Sequence, residues 1–135
     1  MTAVYPKGLE AFLSGQIDVK SDAITAQLVT AAYTYSPNHQ YASSLTGLVS
    51  GGIVLTSAAA TITSGVYANA SSVTWAAVTS GATVAAVVIY AATSNSGTSP
   101  LIAHISTRAD TVPISVVTDD DDITVNWPSS GIFKI

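Results

Sequence analysis

From Ala23 onward, apolar residues recur at every second position in short runs, and Gly, Ser, Asn and Pro interrupt those runs about every ten residues. This rhythm restricts the fold more than any other feature. A period of two sends successive side chains to opposite faces of an extended chain, and turns this frequent leave little room for long helices. The expectation is an all-β chain, an antiparallel β-sandwich (jelly-roll or Ig-like) of about eight strands. The 135 residues read as a single domain, 1–135, with residues 1–8 as a candidate N-terminal arm. Ahead of the strands, Pro6 to Gln16 has helical spacing: Leu9, Phe12 and Leu13 fall at i, i+3 and i+4, with Pro6 near the start and Gly15 near the end. One short N-terminal helix of about two turns is predicted there, packed over one end of the core.

Within the strand region, Ile24, Ala26 and Leu28 alternate with Thr25, Gln27 and Val29. Tyr33-Thr34-Tyr35 continues extended until Ser36-Pro37-Asn38 breaks it. His39 to Leu48 fits either one helical turn or a loop. Ser50-Gly51-Gly52 reads as a turn, Ile53 to Ser57 and Ala59 to Thr63 as short strands, Ser64-Gly65 as a turn and Asn69 to Ser72 as a loop. Val73 to Val78 alternates, with Val73, Trp75 and Ala77 on one face. Ala82 to Ala92 is almost continuously apolar and rich in Val, the pattern of a strand covered on both faces, and belongs at the centre of a sheet. Pro100 opens the strand Leu101 to Ser106, with Leu101, Ala103 and Ile105 on one side. Val112 to Val117, weakened by Pro113, is expected at an edge. Ile123 to Trp127 follows, and Ile132 to Ile135 ends the chain. Trp75 and Trp127 are both expected in the core.

Charge is scarce. Asp, Glu, Lys and Arg make up 9% of the residues, where an ordinary soluble domain has roughly 25%. The bases Lys7, Lys20, Arg108 and Lys134 are scattered. Nucleic-acid affinity draws on clustered Lys and Arg, so no nucleic-acid partner is expected. The longest apolar run, Val84 to Ala92, falls far short of the ~20 residues of a membrane-spanning helix. The first residues lack the basic-then-apolar order of a signal peptide. Neither a membrane partner nor export by the general secretory route is expected. The chain has no cysteine, which excludes disulfides, thiolate metal sites and cysteine nucleophiles and suits a reducing cytoplasm.

Candidate chemistry is thin. Asp119-Asp120-Asp121-Asp122 holds half of the acids, but successive Asp side chains diverge and no EF-hand spacing follows, so the run reads as a solvated turn and not as a calcium site. His39 and His104 stand far apart with few carboxylates to join them. His104 lies opposite the apolar side of its strand and reads as a surface or interface histidine. No Gly-x-Ser-x-Gly elbow and no phosphate-binding glycine loop occurs. The expectation is a protein that binds and is not an enzyme, with no catalytic residue, metal, cofactor or small-molecule ligand. Tyr5 in the arm, and Tyr33, Tyr35 and Tyr41 beside loops, are the candidate partner contacts.

Several separated stretches together resemble one family. An Asp precedes an extended Leu-Val segment with tyrosines soon after, in Asp22, Ile24, Leu28, Val29, Tyr33 and Tyr35. Val73, Thr74 and Trp75 form a central Val-Thr-Trp segment. Val88, Ile89 and Tyr90 are followed by Pro100, Leu101, Ile102 and Ala103, and the end carries Trp127, Gly131, Ile132 and Phe133. In this order and spacing the chain resembles a group of small virion proteins of tailed bacteriophages, the capsid decoration or cement proteins.

The resemblance implies a structural component of the virion, assembled in the bacterial host cytoplasm. Its first implication is a decoration protein that binds the outer surface of the head. The implied partners are the major capsid protein and copies of the chain itself, as a homo-oligomer such as a trimer, bridging neighbouring capsid subunits. A tail or neck subunit, or a glycan-binding adhesion module of the tail, is the alternative. The low charge departs from many such proteins. It suits a wide interface, because unpaired charges are costly to strip of water.

Overall fold

The computed structural model describes residues 2–56, 59–62, 66–108, 112–128 and 131–134. The turn expected at Ser64-Gly65 lies outside them. In chain order the described residues form Thr2–Val4 (β1), the helix Pro6–Leu13 (α1), Ala23–Val29 (β2), Leu48–Val54 (β3), Ala59–Ile62 (β4), Val66–Asn69 (β5), Val73–Trp75 (β6), Thr83–Val84 (β7), Ala86–Ala92 (β8), Leu101–Ile105 (β9), Val116–Val117 (β10), Ile123–Val125 (β11) and Phe133–Lys134 (β12). The chain is all-β with one short helix, as its periodicity predicts. A five-stranded antiparallel sheet has the order β1-β9-β8-β2-β3. Three small antiparallel sheets, β10-β7, β11-β6 and β12-β5-β4, complete the strands. The strands outnumber the sequence expectation because the small sheets are built from pieces of two to four residues.

The Val-rich run lies at the centre of the large sheet, as expected, with β8 between β9 and β2. It is not one strand. At Ala85 the N–H donates to the Val29 carbonyl (2.9 Å), and the chain passes from the small sheet of β7 into the large one.

Both faces of the large sheet are covered. On one, Ile24, Ala26, Leu28, Val87, Ile89 and Ala103 pack with Val73, Trp75, Val84, Ile132 and Phe133 of the small-sheet side and with Ala11 of α1. This is the principal core of the sandwich. On the other, Val29, Ala86, Val88 and Leu101 lie under Tyr5 and Tyr33, with Tyr35 and Leu45 against them.

Two bulges depart from strict alternation. On β9, Ala103 pairs with Ile89 and Leu101 with Tyr90, which leaves Ile102 without a partner on β8. Leu101 therefore faces the tyrosine side, while Ile102, Ala103 and Ile105 belong to the principal core. Leu101 and Ala103 do not share a face, contrary to the sequence expectation, because the extra residue reverses the alternation between them.

The second bulge replaces the turn expected at Ser50-Gly51-Gly52. These residues lie inside β3, opposite Gln27, between the pairs Leu28–Val49 and Ala26–Ile53. The buried Gln27 amide donates to the carbonyls of Leu28 (3.0 Å), Val49 (3.2 Å) and Ser50 (3.0 Å). From the opposite face, Trp75 Nε1 donates to the Gly51 carbonyl at 2.8 Å. Side chains thus supply the partners that the interrupted ladder lacks. Gly52 lies so close to the Tyr90 hydroxyl and the Thr25 methyl group that a Cβ would stand 2.7 and 2.8 Å from them. A bulged edge strand also resists pairing with a stray strand.

Other elements are shorter than their patterns. Helix α1 stops at Leu13, where the Ser14 N–H bonds the Glu10 carbonyl. Its buried face carries Gly8 and Ala11, and Gly8 lies directly against the Leu101 carbonyl. Leu13, expected on the apolar stripe, is 81% exposed. The alternation from Val73 ends at Trp75; Ala77 is exposed with φ 46°. In 112–117 only Val116–Val117 is strand, although Pro113 bridges Thr107. Residues 39–48 contain a single 3₁₀ turn, Ala42–Ser44. Trp75 is buried; Trp127 is only half-buried, with its Nε1 donating to the Ser71 carbonyl at 3.1 Å.

Trp75→Phe removes both buried volume and the donor to Gly51. It should lower stability to urea by about 1–3 kcal/mol. Trp127→Phe, at a wetter position, should cost less. Equal midpoints for the two variants would contradict this assignment of the bulge.

Candidate docking surface and the buried tyrosine layer

The residues assigned to partner contact separate into two sets. Tyr5 is 0% exposed. It follows β1, whose residues Thr2, Ala3 and Val4 pair with Ile105, His104 and Ala103 of β9, and its own N–H donates to the Ile102 carbonyl at 2.9 Å. Residues 2–5 thus complete the sheet edge, and Tyr5 faces inward instead of reaching toward a partner. The Tyr5 hydroxyl shares a 2.6 Å hydrogen bond with that of Tyr33, which also meets His39 Nδ1 at 2.9 Å. Tyr33 is buried as well. Neither side chain offers a partner its ring, because both are needed to cover the large sheet. Tyr35 and Tyr41 remain half-buried at the surface. Tyr41 pairs with Pro100 and accepts a 3.0 Å hydrogen bond from Gln40 Nε2.

Burial pushes the Tyr5 phenol far up, with the Tyr33 hydrogen bond adding to the effect. Burial also raises Tyr33, against a lowering contribution from its bond to Tyr5. Both hydroxyls stay protonated and serve as neutral hydrogen-bonding groups.

His104 is corrected in the same way. It is 8% exposed, not a surface residue. Its ring lies 5.8 Å from that of Tyr33 and 5.6 Å from that of Tyr35, and Tyr35 in turn lies 4.9 Å from Tyr5. Sequence separations of 28 residues and more hide this cluster from any local pattern. The sole local hint is that Tyr33 and Tyr35 are two apart on an extended chain and so share a side.

The Asp run is a fastening between loops. Asp122 Oδ1 accepts the Ala77 N–H (2.8 Å) and Asp120 Oδ1 the Ser80 N–H (3.0 Å). The Val78 N–H donates to the Asp121 carbonyl, and the Asp120 N–H to the Val78 carbonyl, both at 3.0 Å. These carboxylates turn toward separate main-chain donors, as diverging neighbours must. Among the described residues no three His, Asp or Glu side chains are grouped to hold a metal. The described helix is too short and polar to cross a membrane.

The open surface lies elsewhere. A cleft of about 780 Å³ lies between the large sheet and the small ones, floored by the buried Leu28, Val87 and Ile132 and walled by Ile105, Ile123, Trp127 and Arg108. Val116 lines it and is 40% exposed; its neighbour Val117 is 68% exposed, and Val112 is exposed nearby in the chain. At the β3 edge, Leu48 and Val54 are also exposed. The Lys7–Glu10 ion pair (3.3 Å) is exposed and so contributes little. What this surface can do chemically is exchange water for apolar contact. No family model, curated protein or solved structure matches the chain.

Tyr33→Phe strands the buried Tyr5 hydroxyl and frees His39 at once. It should destabilise by about 1–3 kcal/mol, whereas Tyr5→Phe, which leaves Tyr33 bonded to His39, should cost about 1 kcal/mol or less. Thermal unfolding of the two variants checks the order, and a costlier Tyr5→Phe would contradict the network.

Proposed function

We propose that this chain is a non-enzymatic structural protein of a bacteriophage virion, a capsid decoration protein that docks on the outside of the head. In this reading it associates with copies of itself as a trimer and bridges neighbouring capsid subunits. The observation that carries the reading is the mainly apolar cleft, with the exposed Val116 in its wall, in a chain with so little charge. Such a surface loses little on desolvation, because few charged groups must give up water. Docking then runs through Val116 at the cleft, not through Tyr5 and Tyr33, which are buried. The resemblance to small virion proteins supplies the partner, the major capsid protein. A glycan-binding role is the weaker reading, because Tyr33 is buried with its hydroxyl bonded internally.

Co-sedimentation with expanded phage heads stripped of accessory proteins tests the proposal. Saturable binding is expected. Val116→Asp, in the wall of the cleft, should weaken it about tenfold or more, since a buried unpaired carboxylate costs at least about 1.4 kcal/mol. Binding confined to tails, or saturable binding on a glycan array with none to heads, would overturn it.

A further inference from the structure

His104 is a buried titratable side chain whose Nδ1 has no hydrogen-bond partner. Its place in the sheet makes this consequential. On β9 it stands between Ala3 of the edge strand β1 and Val88 of the central strand β8. Tyr33 and Tyr35 lie on its ring, and Tyr33 is also the hydroxyl partner of Tyr5, the residue that anchors the end of β1.

The titratable groups around it are Tyr5 beyond β1, Tyr33, Tyr35 and His39 from the segment above, and Tyr90 further along the same face of β8. Helix α1, packed on β9, carries Lys7 and Glu10, which pair with each other at the surface. None of the groups on the ring is a carboxylate that would hold it protonated.

We infer that His104 makes the seating of β1 acid-sensitive: on acidification the tyrosine layer lifts from its ring and β1 leaves β9. The steps follow from contact. A charged imidazole needs water or a partner, and the two tyrosine rings exclude the first and supply only a partial cation–π substitute. Hydrating the ring displaces Tyr33 and Tyr35. Losing Tyr33 removes the hydroxyl partner of Tyr5, and β1 has only three paired residues to hold it. The freed β9 edge then presents unpaired main-chain groups to another strand.

Burial lowers the His104 pKa from the ordinary value of 6.5. The seated form therefore binds its proton less readily than the open form. Opening takes up a proton, so its equilibrium is independent of pH above 6.5 and grows as pH falls below it, by up to about tenfold per unit.

Native-state hydrogen exchange on the whole chain, corrected for the intrinsic rate, reads this directly. The Tyr5 amide, bonded to Ile102, reports on β1, and the Ile89 amide reports on the sheet centre. Between about pH 6.5 and 5.5 the opening constant at Tyr5 should rise by up to about fivefold, with Tyr5 remaining less protected than Ile89. His104→Gln should abolish the rise. Should that variant fail to fold, an NMR titration of the wild-type ring decides, with a midpoint below that of an exposed histidine expected. Constant protection of Tyr5, a pH dependence that survives in His104→Gln, or a ring midpoint at or above 6.5 would each overturn the inference.

Discussion

The large sheet is buried on both faces, and everything else in the molecule answers to that. Six of the seven residues of β2 are buried, as are most of β8 and β9. A sheet of this kind needs two covers. The small sheets and helix α1 form one, and the tyrosine-bearing segment after β2 forms the other. The second cover is thin, and it works because aromatic rings hide much area per residue while their hydroxyls bond to one another. This is why Tyr5 and Tyr33 are inside and not available to a partner.

What could be read in the sequence follows from range. The helix, the alternation of β2 and the central place of Ala82 to Ala92 are local patterns, and each appears near its expected position. The bulges at Ile102 and at Ser50 to Gly52 were not legible, because a period of two cannot announce an extra residue. Gly51-Gly52 carries the composition of a turn, and only Gln27 and Trp75, which fill its missing hydrogen bonds from two sides, make it strand. His104 misled for the opposite reason. Its polarity pointed outward, and nothing nearby in sequence tells that Tyr33 and Tyr35 fold over it. The Asp119 to Asp122 run was legible as a turn, but its grip on Ala77 and Ser80 depends on residues some forty positions away.

The candidate docking surface was the least legible part. Charge scarcity pointed to an interface without placing it, and the tyrosines were the natural guess. In the reading proposed above, the role passes to Val116 and the cleft that it lines.

That surface makes a demand that can be measured. If docking runs through neutral contact, the head-binding constant should hold steady or strengthen between about 0.05 and 0.5 M salt, since screening acts on charges and leaves apolar burial intact. A fall of about tenfold or more over that range would show that ion pairs make the contact, and would contradict docking through the apolar cleft.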